Sequence, residues 1–302
     1  LGDVYKRQNI LIIGANGFTG RRILNDLSVN PIYHVTGCSL RDDICPGKDY
    51  RFVRTDIRDE NEVRKLFKEC RPDIVINTSA LSVPDYCETH HAEAEATNVT
   101  AVETIAHVCE QYGSRFIHLS TDFVFDGKSI RLYKEEDEAI PVNYYGVTKL
   151  KAEKIIASIC SNYAIVRVVV VYGKALPGQH GNILQLVANR LRNGETIRVV
   201  SDQWRTPTFV GDISVGVEKL MFHTANGIYH ICGSECLTIA EIAYRVADFL
   251  KLDRSLIEPV TTEEMKEATP RPRFSGLSIE KAKAEIGYTP RTLEEGMEAS
   301  LF

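Results

Sequence analysis

Asn9-Ile-Leu-Ile-Ile13 runs without a break into Gly14-Ala-Asn16-Gly17-Phe18-Thr-Gly20, and a helical pattern follows with Phe18, Ile23, Leu24 and Leu27 on one side. No other stretch restricts the possible folds as much. A short apolar run without polar alternation is the pattern of a strand buried on both faces of a parallel sheet. A strand, a glycine turn and a helix in that order make a phosphate cradle. Glycine lets the backbone turn tightly and approach a pyrophosphate, whose charge is met by the helix N-terminus. The spacing G-x-x-G-x-x-G predicts dinucleotide binding by Gly14, Asn16, Gly17, Phe18 and Gly20.

The alternation continues down the chain. Strands are expected at Tyr33–Cys38, Arg51–Arg54, Asp73–Asn77, Arg115–Ser120 and Ala164–Tyr172, with helices between them, the longest over His91–Tyr112. Repeated βα units predict an α/β fold, a doubly wound parallel sheet of Rossmann type, with ligands at the carboxyl ends of the strands. After Gly173 the pattern becomes irregular. A Pro/Gly loop, a helix through Leu191 and a strand at 196–200 precede helices at Ile213–Phe222 and Thr238–Leu250, with a strand at Gly227–Cys232 between them. The expected organisation is a dinucleotide-binding domain over 9–172, rejoined by about 207–230, and a smaller irregular substrate lobe from 173–206 and 231–302. Residues 1–8 read as a non-native leader outside the fold.

Composition excludes several classes. The net charge is −5 and there is no basic run, which argues against a nucleic-acid partner. No apolar run approaches the roughly 18 residues needed to span a bilayer, so no membrane partner is expected. The eight cysteines are scattered without a C-x-x-C pair, as free thiols of a reducing cytosol are, and the expected location is cytoplasmic. The histidines form no ligand spacing with acids or cysteines, and no metal is expected.

Tyr145-Gly-Val-Thr-Lys149 precedes a helical stretch through Ile159. Residues four apart on a helix share a face, so the ammonium is expected beside the phenol. A neighbouring cation lowers a phenol pKa, which would make Tyr145 a proton donor usable near neutral pH.

The glycine turn, Thr121 at the end of the fifth strand and Tyr145-x-x-x-Lys149 together resemble the extended short-chain dehydrogenase/reductase family. Within it, the chain is most similar to the dTDP-4-dehydrorhamnose reductases, on the phrases Leu119-Ser-Thr-Asp-Phe-Val-Phe-Asp-Gly127, Tyr145-Gly-Val-Thr-Lys-Leu-Lys-Ala-Glu153, Ser201-Asp-Gln-Trp-Arg-Thr-Pro-Thr208 and Arg271-Pro-x-x-Ser275. The likeness spans residue 9 to about 300. It implies reduction of a 4-keto sugar nucleotide. Thr121 would hydrogen-bond the substrate carbonyl, Tyr145 would give that oxygen its proton, and Lys149 would hold the nicotinamide ribose. Asp122 and Phe123 would face the substrate, and because Asp122 is followed by Phe123 rather than glutamate, the acid–base pair of the related dehydratases is missing. Gln203, Arg205 and Arg271 resemble nucleotide-sugar binding positions, where arginine suits phosphate because its planar fork binds two oxygens.

Ser39 and Arg41 at the end of the second strand favour the 2′-phosphate of NADPH, with NADH as the alternative. Asp56 and Ile57 resemble an adenine-contacting pair, and Thr78, Ser79 and Ala80 end the fourth strand where the cofactor's middle should pass. Two departures stand out. The family's tryptophan after the tyrosine helix is replaced in Arg167-Val-Val-Val170-Val-Tyr172, and Gly276 follows Ser275 where arginine is common. Two rival readings remain: an epimerase that retains NAD, and a non-catalytic regulatory subunit like that of methionine adenosyltransferase. Assembly as a homodimer is left open.

Overall fold

A computed structural model of the chain describes residues 7–47, 49–179 and 181–300. β1 (Gln8–Ile13) leads through the glycine turn into α1 (Phe18–Ser28), then β2 (Tyr33–Ser39), β3 (Arg51–Arg54), α2 (Glu60–Cys70) and β4 (Ile74–Asn77). Gln8, assigned to the leader by sequence, is the first residue of β1 and pairs with Tyr33. Residues 1–6 of that leader lie outside the described residues. α3 (Pro84–Thr89), α4 (His91–Glu95) and α5 (Ala101–Tyr112) follow, then β5 (Arg115–Thr121), α6 (Tyr144–Ile159) and β6 (Tyr163–Val168).

The single helix expected over 91–112 is interrupted by a π-helical turn at Ala96–Thr100. There Asn98 turns inward: its Oδ1 accepts from Leu81 N–H at 2.8 Å and its Nδ2 donates to Thr148 Oγ1 at 3.0 Å. A π-turn inserts a residue and so re-aims the side chains after it.

The strand expected over 164–172 is also divided. Val170 has φ of +36°, a left-handed conformation that costs a β-branched residue roughly 1–3 kcal/mol. The chain leaves the central sheet there. β7 (Val171–Tyr172) pairs instead with β10 (Thr208–Phe209), and Thr208 Oγ1 donates to Val169 O at 2.6 Å. Between them lie α7 (Ile183–Arg192), β8 (Ile197–Val200) and β9 (Trp204–Arg205). α8 (Val210–Met221) returns to pack on α1, and β11 (Gly227–His230) joins the sheet beside β6. The remainder is β12 (Leu237–Thr238), α9 (Ile239–Leu250), β13 (Ile257–Val260), α10 (Thr262–Met265), α11 (Glu280–Ile286) and α12 (Leu293–Ser300).

The central sheet has the order β11-β6-β5-β4-β1-β2-β3, and every pairing in it is parallel. The order reverses between β1 and β4. At such a switch point the flanking connections run to opposite faces and leave a crevice at the strand ends. Ile10, Ile12, Ile23 and Leu24 are buried in a core on one face of the sheet, and Leu11, Ile13, Phe67 and Val102 in a core on the other. A third core, with Leu184, Val187, Val199, Ile242 and Val246, lies under α7 and α9. No helix among the described residues is long and apolar enough to cross a membrane.

Candidate active site

The glycine turn sits at the crevice. Gly14 has φ of +83°, and a Cβ there would lie 2.7 Å from Ser79 N; a Cβ on Gly20 would lie 2.3 Å from Gly14 O. These two glycines let α1 and β4 close on the turn. Thr78 Oγ1 locks it by donating to Ile13 O at 2.9 Å. Gly17 caps α1 without a side-chain hydrogen bond, and the first turn carries no acid. The first N–H groups of α1 are therefore free of any side-chain cap, and with the dipole they favour an anion. The cradle fits a pyrophosphate.

Asn16 braces the loop after β2. Its Nδ2 donates to Asp42 O at 2.8 Å, and its Oδ1 accepts from Arg21 Nη2 at 2.9 Å. Arg21 is buried and is paired with Asp43 at 2.5 Å and Tyr50 Oη at 2.8 Å. Sequence reading missed Arg21, Asp43 and Tyr50, because a cation in the first turn of a helix looks solvated until the loop that covers it is known. Arg41 is exposed and makes no side-chain hydrogen bond or ion pair among the described residues, with Ser39 half-buried beside it. Asp56 is held by Arg58 through Nη2 at 2.7 Å, and Ile57, Ser79, Ala80 and Phe18 are half-buried along the strand ends.

Thr121 ends β5, and its Oγ1 accepts from Phe123 N–H at 3.2 Å. Tyr145, half-buried in the first turn of α6, packs edge-on against Phe123 with centroids 6.1 Å apart. Gly146 permits this approach, since a Cβ on it would lie 2.1 Å from Phe123 O. Burial pushes the Tyr145 phenol above its ordinary value; the Thr121 hydroxyl draws it back, and Asp122 and Cys87 push it further up. The phenol therefore keeps its proton through the neutral range.

Lys149 departs from expectation. It is 2% exposed, its Nζ donates to Leu119 O at 2.6 Å, and it stands 3.0 Å from His118 Nε2. It is not among the groups that shift the Tyr145 phenol. Burial lowers Lys149 to about 8, with Glu153 partly opposing. Helix spacing puts the two residues on one face, but the lysine stem reaches past the phenol to the backbone of β5.

Asp122 is buried and internally partnered. Its Oδ2 accepts a short hydrogen bond from Ser275 Oγ and lies 3.8 Å from Arg205 Nε. Burial raises its pKa, and Arg205 and Ser275 oppose the rise. Arg205, also buried, donates to Trp204 O at 2.8 Å and to Gln203 Oε1 at 3.1 Å. Gln203 Nε2 donates to Glu267 at 2.8 Å. Arg271 is partly exposed, 3.2 Å from Glu267 and 3.7 Å from Asp85. Of the residues expected to face the substrate, Phe123 and Arg271 keep accessible surface, while Asp122, Gln203 and Arg205 are buried and partnered internally, Asp122 with Ser275 and Arg205, and Gln203 with Arg205 and Glu267. Ser275 and Glu267 were not singled out as partners in the sequence, since Ser275 lies 153 residues from Asp122 and Glu267 lies 64 residues from Gln203.

A doubly wound sheet with a glycine turn at its switch point, and a threonine, tyrosine and lysine gathered at the next strand ends, defines an NAD(P)-dependent oxidoreductase of the extended short-chain dehydrogenase/reductase kind. Comparison with known proteins narrows the class. The profile of the RmlD substrate binding domain family matches residues 8–301, and the chain belongs to that family. A dTDP-4-keto-6-deoxy-D-glucose reductase of Streptomyces niveus is 30% identical over 93% of this chain and 91% of its own length. Methionine adenosyltransferase 2 subunit beta of Xenopus laevis is 32% identical over 93% of this chain and 83% of its own. Among solved structures, a dTDP-4-dehydrorhamnose reductase of Bacillus anthracis in complex with NADP is 27% identical, with a TM-score of 0.86 over 98% of this chain and 99% of its own.

Proposed function

We propose that the chain is an NADPH-dependent reductase of a 4-keto sugar nucleotide, converting dTDP-4-dehydrorhamnose to dTDP-rhamnose. The observation that carries the reading is the pairing of a protonated, half-buried Tyr145 with Thr121 at the carboxyl end of β5. Gly14, Gly17, Gly20 and the N-terminus of α1 hold the pyrophosphate, Ser39 and Arg41 take the 2′-phosphate, and Lys149 takes the nicotinamide ribose. The nicotinamide supplies the hydride when bound.

The chain's own residues manage the oxygen. As hydride reaches the carbonyl carbon, negative charge develops on the oxygen, and the Thr121 hydroxyl stabilises it by donating a hydrogen bond. Tyr145 Oη then delivers its proton there. General acids of this kind contribute about 10²–10⁴-fold in rate. Phe123 and Arg271 present the accessible surface to the sugar nucleotide; the Arg205 guanidinium lies 5.8 Å from the Phe123 ring centroid, and Glu267 and Asp85 hold Arg271.

The test is consumption of NADPH with dTDP-4-keto-6-deoxy-L-mannose, and its loss by about 10²-fold or more in Tyr145→Phe. Inactivity of the wild type toward a panel of keto sugar nucleotides sinks the reading. Stoichiometric NAD retained by the purified protein points to an epimerase instead. The likeness to the methionine adenosyltransferase subunit supports a second reading as a binding partner. A pull-down that captures the synthetase, without ketone-dependent NADPH oxidation, decides for it.

A further inference from the structure

His118 and Asn77 take no part in the reaction as drawn, yet they hold the amine it depends on. His118 is fully buried in β5, with Nε2 3.0 Å from Lys149 Nζ and Nδ1 3.1 Å from Asn77 Nδ2. The direction of each hydrogen bond follows from what its members can do. The backbone N–H of Ser79 only donates, and it lies 3.0 Å from Asn77 Oδ1. That fixes the amide oxygen on the Ser79 side and turns Nδ2 toward His118. An amide NH₂ only donates, so His118 Nδ1 must accept and carries no proton. The single ring proton is then on Nε2, pointing at Lys149 Nζ. An ammonium has no lone pair to receive it. A neutral amine does, and still has an N–H for Leu119 O at 2.6 Å.

We propose that Asn77 and His118 are positioning residues that favour the neutral amine of Lys149 in the free protein on the alkaline side of neutrality, so that cofactor binding there, by drawing Lys149 to a ribose hydroxyl, is coupled to uptake of up to one proton from solvent by Nζ. The inference rests on the cofactor reading above for the ligand, but not for the proton arrangement. Burial, and after it the Lys149 charge, drives His118 well below its ordinary pKa, and burial lowers Lys149 to about 8, so the neutral amine becomes the major form only above that pH. The charged group that acts on Nζ is Glu153 one turn along α6, itself paired with Arg167 of β6; Asp122 and Cys87 act on the Tyr145 phenol one turn before. Of these only Glu153 favours the ammonium on Nζ. β4 presents the uncharged Asn77. Once Nζ leaves the Nε2–H, the donor that opposed the ammonium no longer faces it.

The test begins with long-range ¹H–¹⁵N NMR of the protein without ligand, the His118 signals being assigned by their loss in His118→Gln. The expected pattern is an Nε2–H tautomer with an unprotonated Nδ1, unchanged across the neutral range. An Nδ1–H tautomer, or titration near 6.5, overturns the proposal. Asn77→Asp reverses the chain, because a carboxylate accepts from Nδ1–H and leaves Nε2 with the lone pair that an ammonium needs. In that variant the tautomer should switch. Proton uptake on NADPH binding, measured calorimetrically at about pH 8 in buffers of different ionisation enthalpy, should fall from at least about half a proton toward zero. Equal uptake in both proteins overturns the coupling. If Asn77→Asp does not fold, the wild-type tautomer decides. If the chain binds no NADPH, the cofactor reading fails while the tautomer is still read directly.

Discussion

Arg167→Met should be among the most damaging single changes in the molecule. Glu153 is 3% exposed and Arg167 2%, and the carboxylate accepts from Arg167 Nε at 3.0 Å, Arg167 Nη2 at 2.7 Å and Ser120 Oγ at 2.5 Å. The guanidinium also lies over the Phe125 ring, 5.0 Å from its centroid. Removing it strands a carboxylate where water cannot reach, a change that costs about 3–5 kcal/mol. Removing both charges with Arg167→Met/Glu153→Leu takes that penalty away and leaves the Ser120 hydroxyl unpaired, at about 1–3 kcal/mol. Urea unfolding followed by circular dichroism and by the fluorescence of Trp204 measures both. With a slope of about 3 kcal/mol/M, the single change should lower the midpoint by about 1 M or more, and the double change should recover much of it. A single-variant cost under about 1 kcal/mol, or a double variant weaker than the single, refutes the reasoning that the carboxylate is charged and depends on Arg167.

Three further outcomes follow from the geometry. Gly20→Ala places a methyl 2.3 Å from Gly14 O; NADPH affinity by fluorescence titration should fall about tenfold or more, and native affinity would show that the turn is not the cradle. Arg41→Ala removes the one charge-assisted contact assigned to the 2′-phosphate, worth about 1.5–3 kcal/mol, so NADPH should weaken by about 10- to 150-fold while NADH is unchanged; equal weakening of both refutes the assignment. His230 is buried and lowered to about 3, chiefly by burial and then by the Arg167 charge. Because its folded pKa lies below the unfolded value of about 6.5, its contribution is present above that value and lost as pH falls from there toward 3. From pH 7 to 5 the wild type should lose about 2 kcal/mol more than His230→Gln; equal losses contradict it.

Features carried by neighbouring residues were legible in the sequence. The apolar run Ile10–Ile13, the glycine spacing and the helical stripe of α1 are local patterns, and the strands and their parallel order follow from them. The break at Val170 was not legible. Arg167-Val-Val-Val-Val-Tyr172 is a continuous β-branched run, and what bends it is Thr208, whose N–H and hydroxyl bond Val170 O and Val169 O from a strand far along the chain. The same holds at the site. Tyr145, Lys149 and Thr121 could be picked out by spacing and resemblance, but the direction in which Lys149 points depends on His118 and Leu119, on a strand about thirty residues earlier. Asp122 looked like a substrate-facing acid beside a reactive threonine. Its burial follows from Ser275, 153 residues away.

That last contact bears on how such proteins can diversify. The segments that carry Ser275 and Arg205 are fastened to β5 through Asp122, the immediate neighbour of Thr121. C-terminal segments borrowed from another protein of this fold would have to bring their own hydroxyl and cation to the same spot. Segments without them would leave a bare carboxylate one residue from Thr121 and, on the proposed function, change the field in which the ketone is reduced. On that reading, substrate choice and reactivity are inherited as a unit, and new specificities should arise by substitution around Phe123, Val170 and Arg271 more readily than by exchange of these segments.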